Sequence, residues 1–131
     1  MYVRMAVWRG SKVYSEEKLW QLTGNDPVYT VPFHMLSKNL DLGRWTVYVN
    51  GHKQYVTPNE VLNDPVISPK DFKGIVTADL EYPILVYNDN GFLDVLDGLH
   101  RLALLARRGA PEVHIRFVTR AMLDKATVPR G

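Results

Sequence analysis

The chain has 131 residues, 46% hydrophobic and 23% charged, with a formal net charge of +2; these proportions exclude a fibrous or disordered chain and fit a single globular domain over 1–131. It holds no cysteine, and its longest unbroken apolar run is the five residues Leu102–Ala106, so disulfides, zinc ribbons, thiolate chemistry and a membrane-spanning helix are excluded as well. The charge is uneven: residues 99–131 carry seven Lys/Arg against two acidic residues, a surplus that suits an anionic partner such as a nucleotide or nucleic acid and equally suits a solvated helix face.

Met1–Arg9 has neither a long apolar stretch nor a small-residue cleavage site, so a cytoplasmic location is expected. Residues 1–26 read as a peripheral segment with one short helix, Ser15–Leu22, capped by Ser15 and closed by Gly24. A strand follows at Val28–Val31, interrupted by Pro32. Trp45–Val56 reads as a hairpin turned at Asn50-Gly51, whose Trp45, Tyr48 and Tyr55 form either cross-strand aromatic pairs or a row that stacks nucleobases. Thr57-Pro58-Asn59-Glu60 is a capping box with proline at the first helical position, and Ser68-Pro69-Lys70-Asp71 repeats the logic with Asp. Tyr82–Tyr87 reads as a buried strand, Asn88–Gly91 as a hairpin turn and Phe92–Leu96 as the returning strand. A helix over Leu99–Arg108 ends at Gly109, Val113–Val118 alternates as a half-exposed strand, and Arg120–Lys125 forms a last short helix. Together these elements predict an α+β fold with a small mixed β-sheet.

The chemistry concentrates at Asp97-Gly98-Leu99-His100-Arg101. A strand that runs through Asp-Gly directly into a helix leaves unpaired backbone N–H groups at an end where the dipole favours anions. Gly98 offers the backbone for close approach, and His100 and Arg101 lie in the first turn. Leu99, Leu102, Ala103 and Ala106 share the core stripe, with His100, Leu104, Arg107 and Arg108 on the opposite side. Asp97 reads as a helix cap that also orients Arg101, or as an Mg²⁺ ligand together with Asp94. His34, His52 and His114 lack metal-ligand spacing; His114 and Arg116 share a strand face that lines a phosphate groove or faces water.

This motif, preceded by Asp79-Leu80-Glu81-Tyr82-Pro83-Ile84-Leu85-Val86 and a hairpin, resembles the ParB/sulfiredoxin-like superfamily over Asp79–Val118, the core motif region. The resemblance implies a nucleotide-binding ParB/sulfiredoxin-like fold in which Gly98, Leu99, His100 and Arg101 hold the phosphates of ATP or CTP with Mg²⁺. It implies an ATP-dependent phosphotransferase acting on a small-molecule hydroxyl acceptor, with Asp97 and His100 as catalytic candidates and Asp97 as the metal contact. Three departures narrow it. Leu99 stands where sulfiredoxins carry their catalytic cysteine, which excludes sulfinic acid reduction. The acidic residue of the ParB G-E-R-R motif is missing. The free-serine kinases of the superfamily carry D-G-H-x-R and a Glu base, whereas the first His position here is Leu99 and no acid follows Pro32 until Asp41. A noncatalytic nucleotide or nucleic-acid binding module is therefore the alternative, and a ParB-like nuclease a further one for which no carboxylate cluster stands in the sequence.

Overall fold

A four-stranded sheet with two unlike apolar faces organises the molecule. The computed structural model describes residues 5–8 and 12–129, with side chains from 13 to 127; Arg130 and most of the Met1–Arg9 opening lie outside the described residues. In chain order the elements are β1 (Met5–Trp8), β2 (Lys12–Ser15), α1 (Glu16–Thr23), β3 (Tyr29–Pro32), β4 (Trp45–Val49), β5 (His52–Val56), α2 (Pro58–Asn63), α3 (Pro69–Val76), β6 (Ile84–Asp89), β7 (Phe92–Asp97), α4 (Leu99–Arg107), β8 (Glu112–Phe117), α5 (Arg120–Ala126) and β9 (Thr127–Pro129), with 3₁₀ turns at Phe33–Met35, Ser37–Asp41 and Pro65–Ile67. This is the α+β class expected from the pattern of elements.

The sheet runs β3-β8-β6-β7. β6 pairs antiparallel with β7 through the Asn90-Gly91 turn, where both residues take positive φ, and parallel with β8. Successive residues of β6 alternate between two cores, as the pleat requires. Ile84 and Val86 join Leu93, Val95, Val113, Ile115, Leu102 and Ala103 in the larger one, beneath α2, α3 and α4. Leu85 joins Tyr14, Leu19, Leu96, Val118 and Leu123 in the second, beneath α1 and α5. The N-terminal segment thus supplies Tyr14, Leu19 and Thr23 as buried residues, and the Tyr14 hydroxyl donates to the Leu96 carbonyl at 2.6 Å.

Local signals account for most element starts. Ser15 caps α1, and Thr57 with Glu60 forms the reciprocal box at α2. Ser68 departs from expectation: its hydroxyl donates to Asp71 Oδ2 at 2.6 Å and caps no backbone N–H of α3. Leu104, expected on the polar side of α4, is buried, because α2 and α3 cover the side of α4 turned away from the sheet. A helix packed between two layers needs apolar residues on both flanks. Asn39 ties this layer to the sheet: its side chain donates to the Leu36 and Leu93 carbonyls at 2.9 and 2.8 Å and accepts from the Val95 amide at 3.0 Å.

Candidate functional site

The junction of β7 with α4 is shaped by one extra residue. Val86 opposes Val95 while Leu85 opposes Asp97, so Leu96 is bulged, and a bulge re-aims the side chains beside it. Asp97 thereby turns to the face covered by α1. There it is 6% exposed, and its Oδ2 accepts the Trp20 indole N–H at 2.6 Å. The cap position of α4 belongs to Gly98, with no side-chain cap. Asp97 is therefore not the helix cap that its place in the sequence suggested, because its carboxylate is drawn away to Trp20. The first N–H groups of α4 have no intrahelical partner, and the dipole favours an anion there.

Gly98 turns the strand into the helix within one residue, at φ +114°, a conformation that L side chains rarely adopt. Its missing side chain makes room for Arg101: a Cβ here would lie 2.8 Å from Arg101 Nη2, 3.0 Å from its Nε and 3.0 Å from Ile84 Cγ1. The opening read as access for an anion is thus filled by the protein's own guanidinium. Arg101 Nη2 stands 3.6 Å from Asp97 Oδ2, and both Nη2 and Nε are buried without a hydrogen-bond partner among the described residues. Leu99 is half-buried and packs into the larger core, so what it offers a ligand is its backbone N–H.

His100 leaves the same turn in another direction. Its Nε2 lies 3.0 Å from Asp71 Oδ1, and since a carboxylate only accepts, the proton belongs on Nε2. The ring stacks on Trp45 at 4.5 Å between centroids and 17° between planes, and it packs so closely on α3 that a Cβ at Gly74 would meet its Cδ2 at 2.9 Å. The side chain is still 40% exposed, and Nδ1 has no hydrogen-bond partner among the described residues. An imidazole oriented by a carboxylate, with its second nitrogen free, is equipped to accept a proton. Asp71 and Trp45 also line a groove of about 570 Å³ between β4 and the start of α3, with Ser68 and Lys70 beside them.

The other candidates are placed elsewhere. Asp94 pairs with Arg44 at 2.6 Å, and no group of three His, Asp or Glu able to hold a metal ion stands among the described residues. Tyr48 and Tyr55 are exposed on the β4–β5 hairpin, while Trp45 is buried against His100. His114 meets Thr30 at 2.9 Å. Of the basic C-terminal residues, Arg107 lies over Phe72 and Arg120 pairs with Asp124, whereas Arg116 lies over Trp20, the indole that binds Asp97.

Two residues central to this geometry carry no local signal of their role. Trp20 is 77 positions from the carboxylate it binds, and Asp71 reads in sequence only as part of a helix start. No family model matches the chain, and neither a curated protein nor a solved structure is similar to it.

Proposed function

We propose that the chain is a nucleotide-binding domain of ParB/sulfiredoxin-like type in which the first turn of α4 holds phosphate and a phosphoryl group passes to a small hydroxyl-bearing acceptor. The observation that carries this reading is the Arg101 guanidinium, held at that turn with two buried nitrogens that have no acceptor among the described residues. Buried donors of a charged group are costly unless an acceptor reaches them, and a guanidinium fork matches phosphate oxygens. The uncapped N–H groups of Leu99 and His100 add donors of the same polarity.

In this reading His100 takes the acceptor's proton at Nδ1 while Asp71 holds the ring and stabilises the imidazolium. The acceptor oxygen attacks the terminal phosphorus of ATP or CTP, and the nucleoside diphosphate leaves. Asp97 orients Arg101 and Trp20. Its engaged Oδ2 fits that task better than a metal contact, so Mg²⁺ enters as the counter-ion of the nucleotide phosphates. The same engagement of Asp97 favours a second reading, a nucleotide-binding module without turnover.

Calorimetry with ATP, CTP and ADP, with and without Mg²⁺, tests the proposal. At least one nucleotide binds the wild type, and Arg101→Ala weakens it by roughly 10- to 100-fold, the worth of a hydrogen bond to a charged group. No binding of any of the three at millimolar concentration overturns the reading. With binding established, His100→Ala and Asp71→Asn separate enzyme from module: turnover that falls far more than affinity supports catalysis, and absence of turnover with every hydroxyl acceptor supports the module.

A further inference from the structure

Asp97, Leu85 and Arg116 stand in one row across β7, β6 and β8, since Leu85 opposes Asp97 on one side and Arg116 on the other. Residues paired across neighbouring strands leave the same face of a sheet. That face is covered by α1, and Trp20 of α1 receives two guanidinium groups there. The Arg101 Cζ lies 5.7 Å from the indole ring centroid and the Arg116 Cζ 5.9 Å. Arg116 Nε, like Arg101 Nε and Nη2, is buried without a hydrogen-bond partner among the described residues. Asp97 is the carboxylate within ion-pair range of Arg101, and Arg116 has none among the described residues.

Among the described residues, two cations gathered on one indole face a single carboxylate within ion-pair range. Cation–π contact compensates the charges in part, but it does not satisfy buried N–H groups, which point in the ring plane of the guanidinium and require an oxygen. Trp20 comes from α1, far from α4 in the chain, and Arg116 from β8, the element after α4, so the tertiary fold brings them together on one face. Tyr82 packs edge-on to Trp20, with 6.1 Å between centroids and 77° between planes, and is 56% exposed, so the indole lies next to a ring that faces solvent.

We infer that Arg116, with Trp20 as its platform, is the second arm of the anion site, so that phosphoryl oxygens of the ligand are held between Arg101 and Arg116. This rests on the phosphate-binding reading of α4 and extends it with two residues outside the Asp97–Arg101 motif. It names the ligand group as one with several oxygens able to engage two guanidinium forks, as a di- or triphosphate does.

The test is titration of the wild-type protein with inorganic pyrophosphate and with ATP, following the arginine Nε–H signals by ¹H–¹⁵N NMR, with signals assigned by Arg101→Lys and Arg116→Lys. The Nε–H signals of Arg101 and Arg116 shift together along one saturation curve, and Arg116→Gln weakens pyrophosphate by about tenfold or more, as loss of a charge-assisted bond requires. If the Arg101 signal shifts while that of Arg116 stays still and Arg116→Gln binds like the wild type, the second arm is refuted and the phosphate reading stands. If neither signal moves with either probe, both are refuted. The titration uses the unaltered protein, so a variant that fails to fold does not leave the matter open.

Discussion

Replacing Gly98 by alanine probes the junction on which the site is built. The new methyl group sits at φ +114°, which costs an L residue about 1–2 kcal/mol. Its Cβ also stands 3.0 Å from Ile84 Cγ1, a buried side chain in the larger core that has little room to move, and overpacking of this kind costs roughly 1–3 kcal/mol. The contacts with Arg101 at 2.8 and 3.0 Å are relieved when the guanidinium shifts off Gly98, so Gly98→Ala also lowers anion affinity without touching the ligand. Together the stability loss is about 2–5 kcal/mol, and at roughly 4 °C per kcal/mol for a chain of this length the melting temperature falls by about 8–20 °C. Circular dichroism during urea and thermal unfolding measures it. The double variant with Arg101→Ala isolates the guanidinium contact: it recovers about 1 kcal/mol relative to the sum of the single losses, the remainder belonging to φ and Ile84. Stability of Gly98→Ala within about 0.5 kcal/mol of the wild type refutes the account of the junction, and additivity of the two variants refutes the placement of Arg101 over Gly98.

Asn39→Ala removes three buried hydrogen bonds and takes from the Val95 amide its side-chain acceptor, while the Leu36 carbonyl keeps the backbone N–H of residue 39, so urea unfolding should show a loss of about 3 kcal/mol; a loss below about 1 kcal/mol contradicts the role assigned to it. Burial raises the Tyr14 hydroxyl well above its ordinary pKa of 10.0. Ionisation then favours the unfolded chain, so the stabilisation is complete below about pH 10 and is lost as pH rises beyond it. Tyr14→Phe costs about 1 kcal/mol near neutrality and removes this part of the alkaline decline, which paired unfolding curves against pH resolve. Arg107, Arg116 and Arg120 engage Phe72, Trp20 and Asp124 respectively, a dispersed arrangement, so single-stranded DNA should bind weakly and with almost no salt dependence. Submicromolar binding that falls steeply between about 50 and 200 mM salt, with a slope flattened by about 2 in the Arg107→Ala/Arg108→Ala variant, overturns that expectation.

Elements whose cause is local were legible in the sequence: the Ser15 and Thr57 caps, the Asn50-Gly51 and Asn90-Gly91 turns, the β6–β7 hairpin and the helix beginning at Leu99. Each depends on residues within a few positions of one another, and turn chemistry and capping act at that range. The grouping of Asp97, Gly98, His100 and Arg101 at one strand-to-helix junction was legible for the same reason, since a strand, a glycine and a helix start are consecutive in the chain. What these side chains do was decided by partners far away. Asp97 turns to Trp20 because Leu96 is bulged against β6; His100 is oriented by Asp71 and Trp45; Arg101 folds over Gly98 and, like Arg116, reaches Trp20. The two sides of α4 are buried because α2 and α3 cover what an isolated amphipathic helix leaves to water. Hydrogen bonds and ring contacts reach only a few ångströms, so the sequence by itself determined where these polar side chains lie along the chain, and only the packing of α1, α3 and β8 around the junction decided what each of them meets.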